Sequence, residues 1–523
     1  MFQNIISKLI QKEKYFFLFT LLVNIWFVFY NKFYTSMDGA AHLHNAYLLK
    51  QLLSGSNFIE QFFVINTIPI PNWTNHLVLS SLLSILPPNI AEKGTCIIYI
   101  VLTSLSFRYL IKQLQPKNII GSFLIFPFLF TFLFHLGFIN FCYSIGFMFL
   151  GLGYFLKHKN QINYKNGFVL ALIVLLTYFS NVIGFIYLLY FLFSFCIINQ
   201  FRENSQLNKQ AIFQLIKKCL FLLVISIVPI ICLLVFYRSI IFYPSDFFYK
   251  KEILMDWIFD IRPLIIYIYD EDKKYTQILF LLLTSAFSIA IYKFYIQEKV
   301  FKFSENIASL LSILFTTLLL FKIKDGSSAG MMSDRLCLIL FILFLITLLA
   351  FPIPKPVLYV ISTFSVFINF SLFYYNHKNI MKNYSEHADK MYSISNHINS
   401  KSIVLPINME ADWMEGHFSN YIGVDKEIVV LENYEANVGW FPLKWKKDNL
   451  PKFIIGSKQT IANINWITNP ESKTEKKIDY ILLFGNTTKL DMPEYAELKT
   501  ELMSFYIKDE SINDSYIQLF KTK

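Results

Sequence analysis

The stretch Asp38-Gly39-Ala40-Ala41-His42-Leu43-His44-Asn45 gathers a carboxylate and two imidazoles just past the first long apolar run of the chain. Ionisable groups at the edge of a membrane-length apolar run are costly to place, which makes them functional candidates by default. On a helix starting here, Asp38 and His42 share a face at i, i+4, while His44 points elsewhere. The chemistry that fits is general-base catalysis, with Asp38 taking a proton from a hydroxyl and His42 and His44 contacting substrate. The structural alternative is a helix N-cap, for which Asp is well suited, although a cap does not call for a neighbouring His-x-His. A metal held by Asp38, His42 and His44 is disfavoured, because two histidines at i, i+2 do not converge from one helix. No cofactor is indicated.

Two further segments carry candidate substrate contacts. In Pro71-Asn72-Trp73-Thr74-Asn75-His76, Trp73 and His76 could form a platform for a sugar ring. The alternative is that Trp73 is only an interfacial anchor and His76 a surface residue. In the segment 322–335, Lys324 is one of several basic residues and Arg335 opens an apolar run. A guanidinium there suits a phosphate, which it can grip with two parallel hydrogen bonds. The alternatives for Arg335 are a salt bridge with Asp334 or snorkelling to lipid headgroups. Asp246, Asp256, Asp260 and Asp270-Glu271-Asp272 could each supply a second carboxylate, and nothing in the sequence selects one. Asn140 and Asn181, set in apolar surroundings, read as glue between helices.

The elements that must position these groups are membrane spans. The chain has 523 residues, 55% of them hydrophobic, including 56 Phe, and only 16% charged. Mean hydropathy is +0.46. A run of ~20 apolar residues crosses a bilayer. Such runs fall at about 15–30, 94–111, 119–135, 138–156, 167–181, 183–199, 219–237, 275–292, 305–321, 336–351 and 357–375. The expected fold is therefore mainly α: a polytopic helical membrane bundle of about 11 spans over 1–375, followed by a small extracytoplasmic α/β domain over 376–523. The runs do not alternate as barrel strands would, which excludes a transmembrane β-barrel. Lys and Arg gather in the short loops on the N-terminal side, so the N-terminus reads as inside and the C-terminal domain as outside. The net charge of +11 is accounted for in this way, and no nucleic-acid partner is expected. The six cysteines lie in or beside apolar runs with no disulfide or zinc spacing. The N-terminal apolar run, with no small-residue cleavage site after it, reads as a retained span.

Outside the spans, the long first outer loop 31–92 holds two helix-like stretches, Ala40 to Leu53 and Leu77 to Ile85, the latter ended by Pro87-Pro88. Both are expected to lie on the membrane surface. In the C-terminal domain, strands are expected at Ser402–Ile407, Glu427–Leu431, Phe453–Ile455, Tyr480–Phe484 and Tyr516–Phe520, and helices at 384–398 and 493–504.

Taken together, Asp38 in a first outer loop, helices in that loop, an N-inside bundle and an outward C-terminal domain resemble the GT-C superfamily of membrane glycosyltransferases. Asp38-Gly-Ala-Ala-His42, Pro71-Asn-Trp73, Gly137-Phe-Ile-Asn140-Phe, Met332-Ser-Asp-Arg335, Leu431-Glu432-Asn433-Tyr434-Glu435-Ala436 and Trp440-Phe441-Pro442-Leu443 also look like an uncharacterised bacterial set of this type. The resemblance implies inverting transfer of a sugar from a polyprenyl-phosphate carrier to an acceptor glycan, lipid or protein on the non-cytoplasmic face, in the bacterial inner membrane. It maps Asp38 onto the superfamily's catalytic aspartate. The residue after it is Gly39, where many members carry Asp or Glu. Two other functions compete: a polar-lipid transporter or flippase, and a non-catalytic membrane assembly subunit. The spans lack charged residues in their middles, which counts against ion-coupled transport. If the chain is a transferase, Asp38 and Arg335 should converge on one lipid-accessible chamber.

Overall fold

A computed structural model describes residues 2–523 except 160–162, 204–208, 241–245, 298–304, 326–329, 411, 447–449, 451–477 and 513. The expected strand Phe453–Ile455 lies outside the described residues. The chain divides into two compact units, Met1–Val28 with Ile97–Ile380, and Phe29–Cys96 with Met381–Lys523. The segment 31–92, expected as a loop of the bundle, is thus grouped with the C-terminal part of the chain. The physical reason is a shared apolar core, described below.

The first unit is helical. Among the described residues seven helices are long and apolar enough to cross a membrane: Pro88–Leu114, Ile139–His158, Val182–Phe201, Lys209–Ser239, Tyr269–Phe294, Met332–Ala350 and Lys355–His397. The apolar helices Pro116–Leu129, Tyr164–Ser180 and Asn306–Leu320 are shorter. The run expected as one span at 119–135 is instead a 3₁₀ segment, Pro116–Leu129, followed by a four-residue α-helix, Phe132–His135. Pro116 opens the 3₁₀ segment and Pro127 lies inside it. Pro127 removes an amide donor, which breaks the α-helical ladder. Buried amides tie this unit together: Asn118 donates to the carbonyls of Leu349 and Phe351 at 2.8 and 2.6 Å, and Asn369 to Asn24 at 2.9 Å. In hydrocarbon an amide left without partners is costly, so such pairs fix helix register.

The second unit is built on a five-stranded mixed sheet. The strands, with two others, are β1 (Phe63–Ile65), β2 (Ser402–Asn408), β3 (Ile428–Val430), β4 (Leu443–Trp445), β5 (Tyr480–Phe484), β6 (Tyr506–Lys508) and β7 (Ile517–Thr522). The sheet order is β3-β2-β5-β7-β6, with the first three parallel and β7 antiparallel to both neighbours. Period-two alternation sends Val404, Leu482 and Leu519 into one apolar layer and Leu405, Leu483 and Phe520 into the other. Both faces are buried, which explains the near-continuous apolar reading of β2 and β5.

The early segment supplies part of each layer. From the Gly39–Leu53 helix, Ala40, Leu43, Ala46 and Tyr47 enter the first layer, and Leu48 and Leu49 the second. All of Gly39 to Leu49 is buried, so this helix is a core element of the unit and not the membrane-surface helix expected from sequence. Strand β1 pairs antiparallel with β4, with Phe63 opposite Trp445 and their rings stacked at 4.2 Å. The second expected helix forms as Thr74–Leu82, and Pro88 then begins the next helix, a position its fixed φ suits.

Candidate functional site

The helix Gly39–Leu53 turns a polar stripe, Asp38, His42 and Asn45, away from its apolar faces, at the i, i+4, i+7 spacing of one helical edge. Facing it is the turn that follows β3, Glu432-Asn433-Tyr434-Glu435. Functional groups commonly gather beyond the carboxyl ends of parallel strands, and this turn leaves one. Every residue of the turn engages the second unit's polar centre.

Asp38 occupies the N-cap position of the helix, yet its side chain makes no capping hydrogen bond. The carboxylate instead lies 3.6 Å from His417 Nε2 and accepts a hydrogen bond from the Tyr434 hydroxyl. His417 Nδ1 is 2.5 Å from Glu432 Oε1, and its ring stacks on Tyr434 at 4.3 Å. Glu432 also accepts from Asn420 at 2.6 Å and Ser419 at 3.2 Å. The imidazole of His417 therefore bridges two buried carboxylates. Burial raises the Asp38 carboxyl above its ordinary range, against the lowering pull of His417 and His42. The Tyr434 phenol is pushed well up by burial and by the nearby carboxylates, so it stays a hydrogen-bond donor.

Gly39 sits close against two polar side chains. A Cβ there would meet Ser36 Oγ at 2.6 Å and Glu92 Oε1 at 3.0 Å. A side chain there would require Ser36 or Glu92 to turn aside. A carboxylate from elsewhere, Glu92, approaches that spot, accepting from the Tyr421 hydroxyl at 2.8 Å.

Three side chains converge at a second focus. His42 Nδ1 is 2.5 Å from Glu435 Oε1, and His76 Nε2 is 2.7 Å from Glu435 Oε2. All three side chains are buried, with Glu435 and His76 at 0% exposure. Burial raises the Glu435 carboxyl, but the two imidazoles outweigh it and hold it down at about 2. The imidazole rings meet edge to face at 5.2 Å, and Phe441 closes on both, at 5.9 and 5.7 Å. Asn45 and Asn433 seal the stripe with reciprocal amide bonds of 3.0 Å each. Asn66 donates to the carbonyls of Gly439 and Phe441, both at 3.0 Å, which anchors the loop carrying Phe441.

The remaining expected site residues fall elsewhere. His44 is fully buried, with Nδ1 3.1 Å from Asn420 Oδ1 and Nε2 3.2 Å from the Ile428 carbonyl. Burial lowers its pKa to about 4, so the ring is neutral and holds the fold where a substrate contact was expected. A Cβ on Gly423 would come within 2.5 Å of that ring, which leaves no room for a ligand on that side. Trp73 sits at the N-cap of the Thr74–Leu82 helix and packs against the second apolar layer, a core role in place of a sugar platform. Lys324 is an exposed partner of Asp246 at 2.8 Å, as ordinary surface ion pairs are.

Arg335 belongs to the first unit, where its guanidinium lies over the rings of Phe138 and Phe141 at 4.6 and 5.9 Å. Asp334, the salt-bridge partner considered for it, is 3.6 Å from Arg262. Of the other carboxylates, Asp272 accepts from the Ile266 amide at 3.0 Å and Asn376 at 2.8 Å and contacts His377 at 3.1 Å. Asp260 accepts from Tyr269 and Gln277, at 2.5 and 2.7 Å. Asp325 accepts from the amides of Met332 and Ser333 and so caps the Met332–Ala350 helix.

Sequence reasoning missed His417, Glu432, Tyr434 and Glu435 as members of the centre. Their signal was present only as an acidic and aromatic cluster, Glu432-Asn433-Tyr434-Glu435, in which Asn433 and Glu435 find partners more than three hundred residues earlier in the chain. No protein-family model matches this chain, and no curated protein matches it.

Proposed function

We propose that the chain is a polytopic membrane glycosyltransferase that moves a sugar from a polyprenyl-phosphate carrier to an acceptor hydroxyl, with Asp38 as the general base. The observation that carries this reading is the treatment of Asp38. It stands where a cap would, leaves the helix amides alone, and presents a buried carboxylate to a His417–Glu432 pair. Burial raises the basicity of such a carboxylate, and a base works best when its pKa approaches the operating pH.

In the reaction the acceptor hydroxyl gives its proton to Asp38 as its oxygen bonds to the anomeric carbon. The bond from that carbon to the phosphate oxygen breaks, its electron pair leaves with the polyprenyl phosphate, and the configuration inverts. His417, held by Glu432, balances the charge on Asp38 between turnovers. In this reading the N-terminus is cytoplasmic, about 11 helical segments cross the bacterial inner membrane, and the centre faces the other side.

The test is incubation of purified protein with a panel of polyprenyl-phosphate sugars, followed by mass spectrometry of released carrier and glycosylated product. Wild-type protein should release carrier with at least one donor, and Asp38→Asn should release none while expressing and melting normally. Full turnover by Asp38→Asn would remove the base. Movement of an intact lipid across vesicles, with no carrier released from any donor, would replace the transferase by a flippase.

A further inference from the structure

The geometry points to a divalent transition-metal site, of the zinc type, held by His42 Nδ1, His76 Nε2 and Glu435. It goes beyond the transferase reading and does not depend on it. The three ligand atoms lie within 4.8 Å of one another, on side chains brought from a buried helix, from the next helix and from the turn after β3. Two imidazoles and one carboxylate form a common three-ligand set for catalytic zinc, which leaves a fourth position for water or substrate oxygen.

An independent observation concerns the second ring nitrogen of His76. His76 Nδ1 lies 3.3 Å from the Asn72 carbonyl oxygen, which can only accept, so the ring donates there. The other ring nitrogen, Nε2, faces Glu435 Oε2 at 2.7 Å. Zinc-bound histidines usually donate their other ring nitrogen to a backbone carbonyl in this way, which fixes the tautomer. Asn72 is itself held in a left-handed conformation, φ 69°, with its side chain bonded to the Trp440 carbonyl at 3.3 Å.

Glu435 Oε1 adds a second sign. It comes within 2.5 Å of His42 Nδ1, so imidazole nitrogens stand against both oxygens of one carboxylate. Around a tetrahedral zinc with ~2.0–2.1 Å bonds, ligand atoms stand ~3.3 Å apart, so the two Glu435 contacts need open by less than ~1 Å. The Phe441 edge gives the site an apolar wall. The bound ion would offset the buried carboxylate charge and polarise whatever oxygen fills its fourth position.

The test uses the full chain in detergent, carrying no histidine tag and prepared without chelator. Metal analysis by mass spectrometry should find about one zinc-type ion per chain, and X-ray absorption at the metal edge should show nitrogen and oxygen neighbours without sulfur. After chelation, Co²⁺ should rebind with visible absorption of low-symmetry coordination. His76→Ala and Glu435→Gln should weaken Zn²⁺ binding beyond the ~10–100-fold lost with an outer partner. Glu435→Gln keeps the side-chain shape, so a normal melting curve for that variant separates lost ligation from lost folding. Absence of metal from the wild-type chain together with failure to bind added Zn²⁺ or Co²⁺ would overturn the site. So would metal that binds equally well to the folded Glu435→Gln variant, or sulfur among its neighbours.

Discussion

Asp38 shows how one side chain can hold two incompatible duties apart. The backbone uses the position to start a helix, and the carboxylate is spent elsewhere. Because burial raises its pKa, the ionised form is the less favoured one in the fold. The sign for stability follows: any contribution from this group is complete below the unfolded-state pKa and is lost as pH rises through the folded one. Asp38→Asn should therefore melt at the same temperature as wild type or higher at neutral pH, measured by thermal unfolding in detergent. For transfer the sign is opposite. The base must be ionised, so the rate should fall on the acid side, beginning at a higher pH than an exposed aspartate would give.

Tyr434→Phe sharpens that expectation. The hydroxyl lowers the Asp38 pKa by donating to it, while the ring stacks on His417. Removing only the hydroxyl should move the acid limb of the rate profile to higher pH. A limb that stays in place would show that it belongs to another group. Asp38 and His42 were legible from sequence because they are i, i+4 neighbours beside an apolar run. Glu435 was not, because its partner His42 is nearly four hundred positions away and no local pattern links them.

At the level of elements, the site depends on the helix Gly39–Leu53 staying locked to the turn after β3. The reciprocal bonds between Asn45 and Asn433 are the most direct lock. Asn433→Ala leaves a buried amide without its partner and should cost about 1–3 kcal/mol in denaturant unfolding. The Asn45→Ala, Asn433→Ala double variant should cost less than the two single changes added together, since both delete one interaction. Strand β1 is a second lock, and Phe63→Ala, which removes the ring stacked on Trp445, should cost about 3–5 kcal/mol.

Strands β2, β3, β5 and β7 were readable as short apolar runs, because a sheet buried on both faces leaves that signature. Strands β1, β4 and β6 were not. Each has three residues, too few to show a period, and β1 finds its partner only in the folded unit. The helix Gly39–Leu53 was found at its correct place but given the wrong surroundings. An apolar stripe says that something covers it, and does not say whether that cover is lipid or protein.

For the whole molecule, the decisive fact is that one compact unit is made from two pieces of chain separated by the helical segment 97–380. A fragment of residues 381–523 alone would lack Leu43, Tyr47, Leu48 and Phe63 from its two apolar layers. It should show no cooperative melt by circular dichroism, and adding residues 29–96 in the same chain should restore one. Hydropathy made the membrane helices legible, because each is a local run. It could not show the joining of 29–96 to 381–523, because long-range packing leaves no mark on local composition.

The two pieces of that unit share one core, so both must stand on the same side of the bilayer. The intervening chain therefore traverses the membrane an even number of times. Among the described residues, seven helices long and apolar enough to do so start at Pro88 or later, and seven is odd. If all seven cross, one or all three of the shorter helices Pro116–Leu129, Tyr164–Ser180 and Asn306–Leu320 must cross with them. Single cysteines placed at Gly55 and Asp491, in a background without native cysteines, should then react with an impermeant maleimide from the same face, and parity makes that face a property of the fold as much as of the charges in its loops.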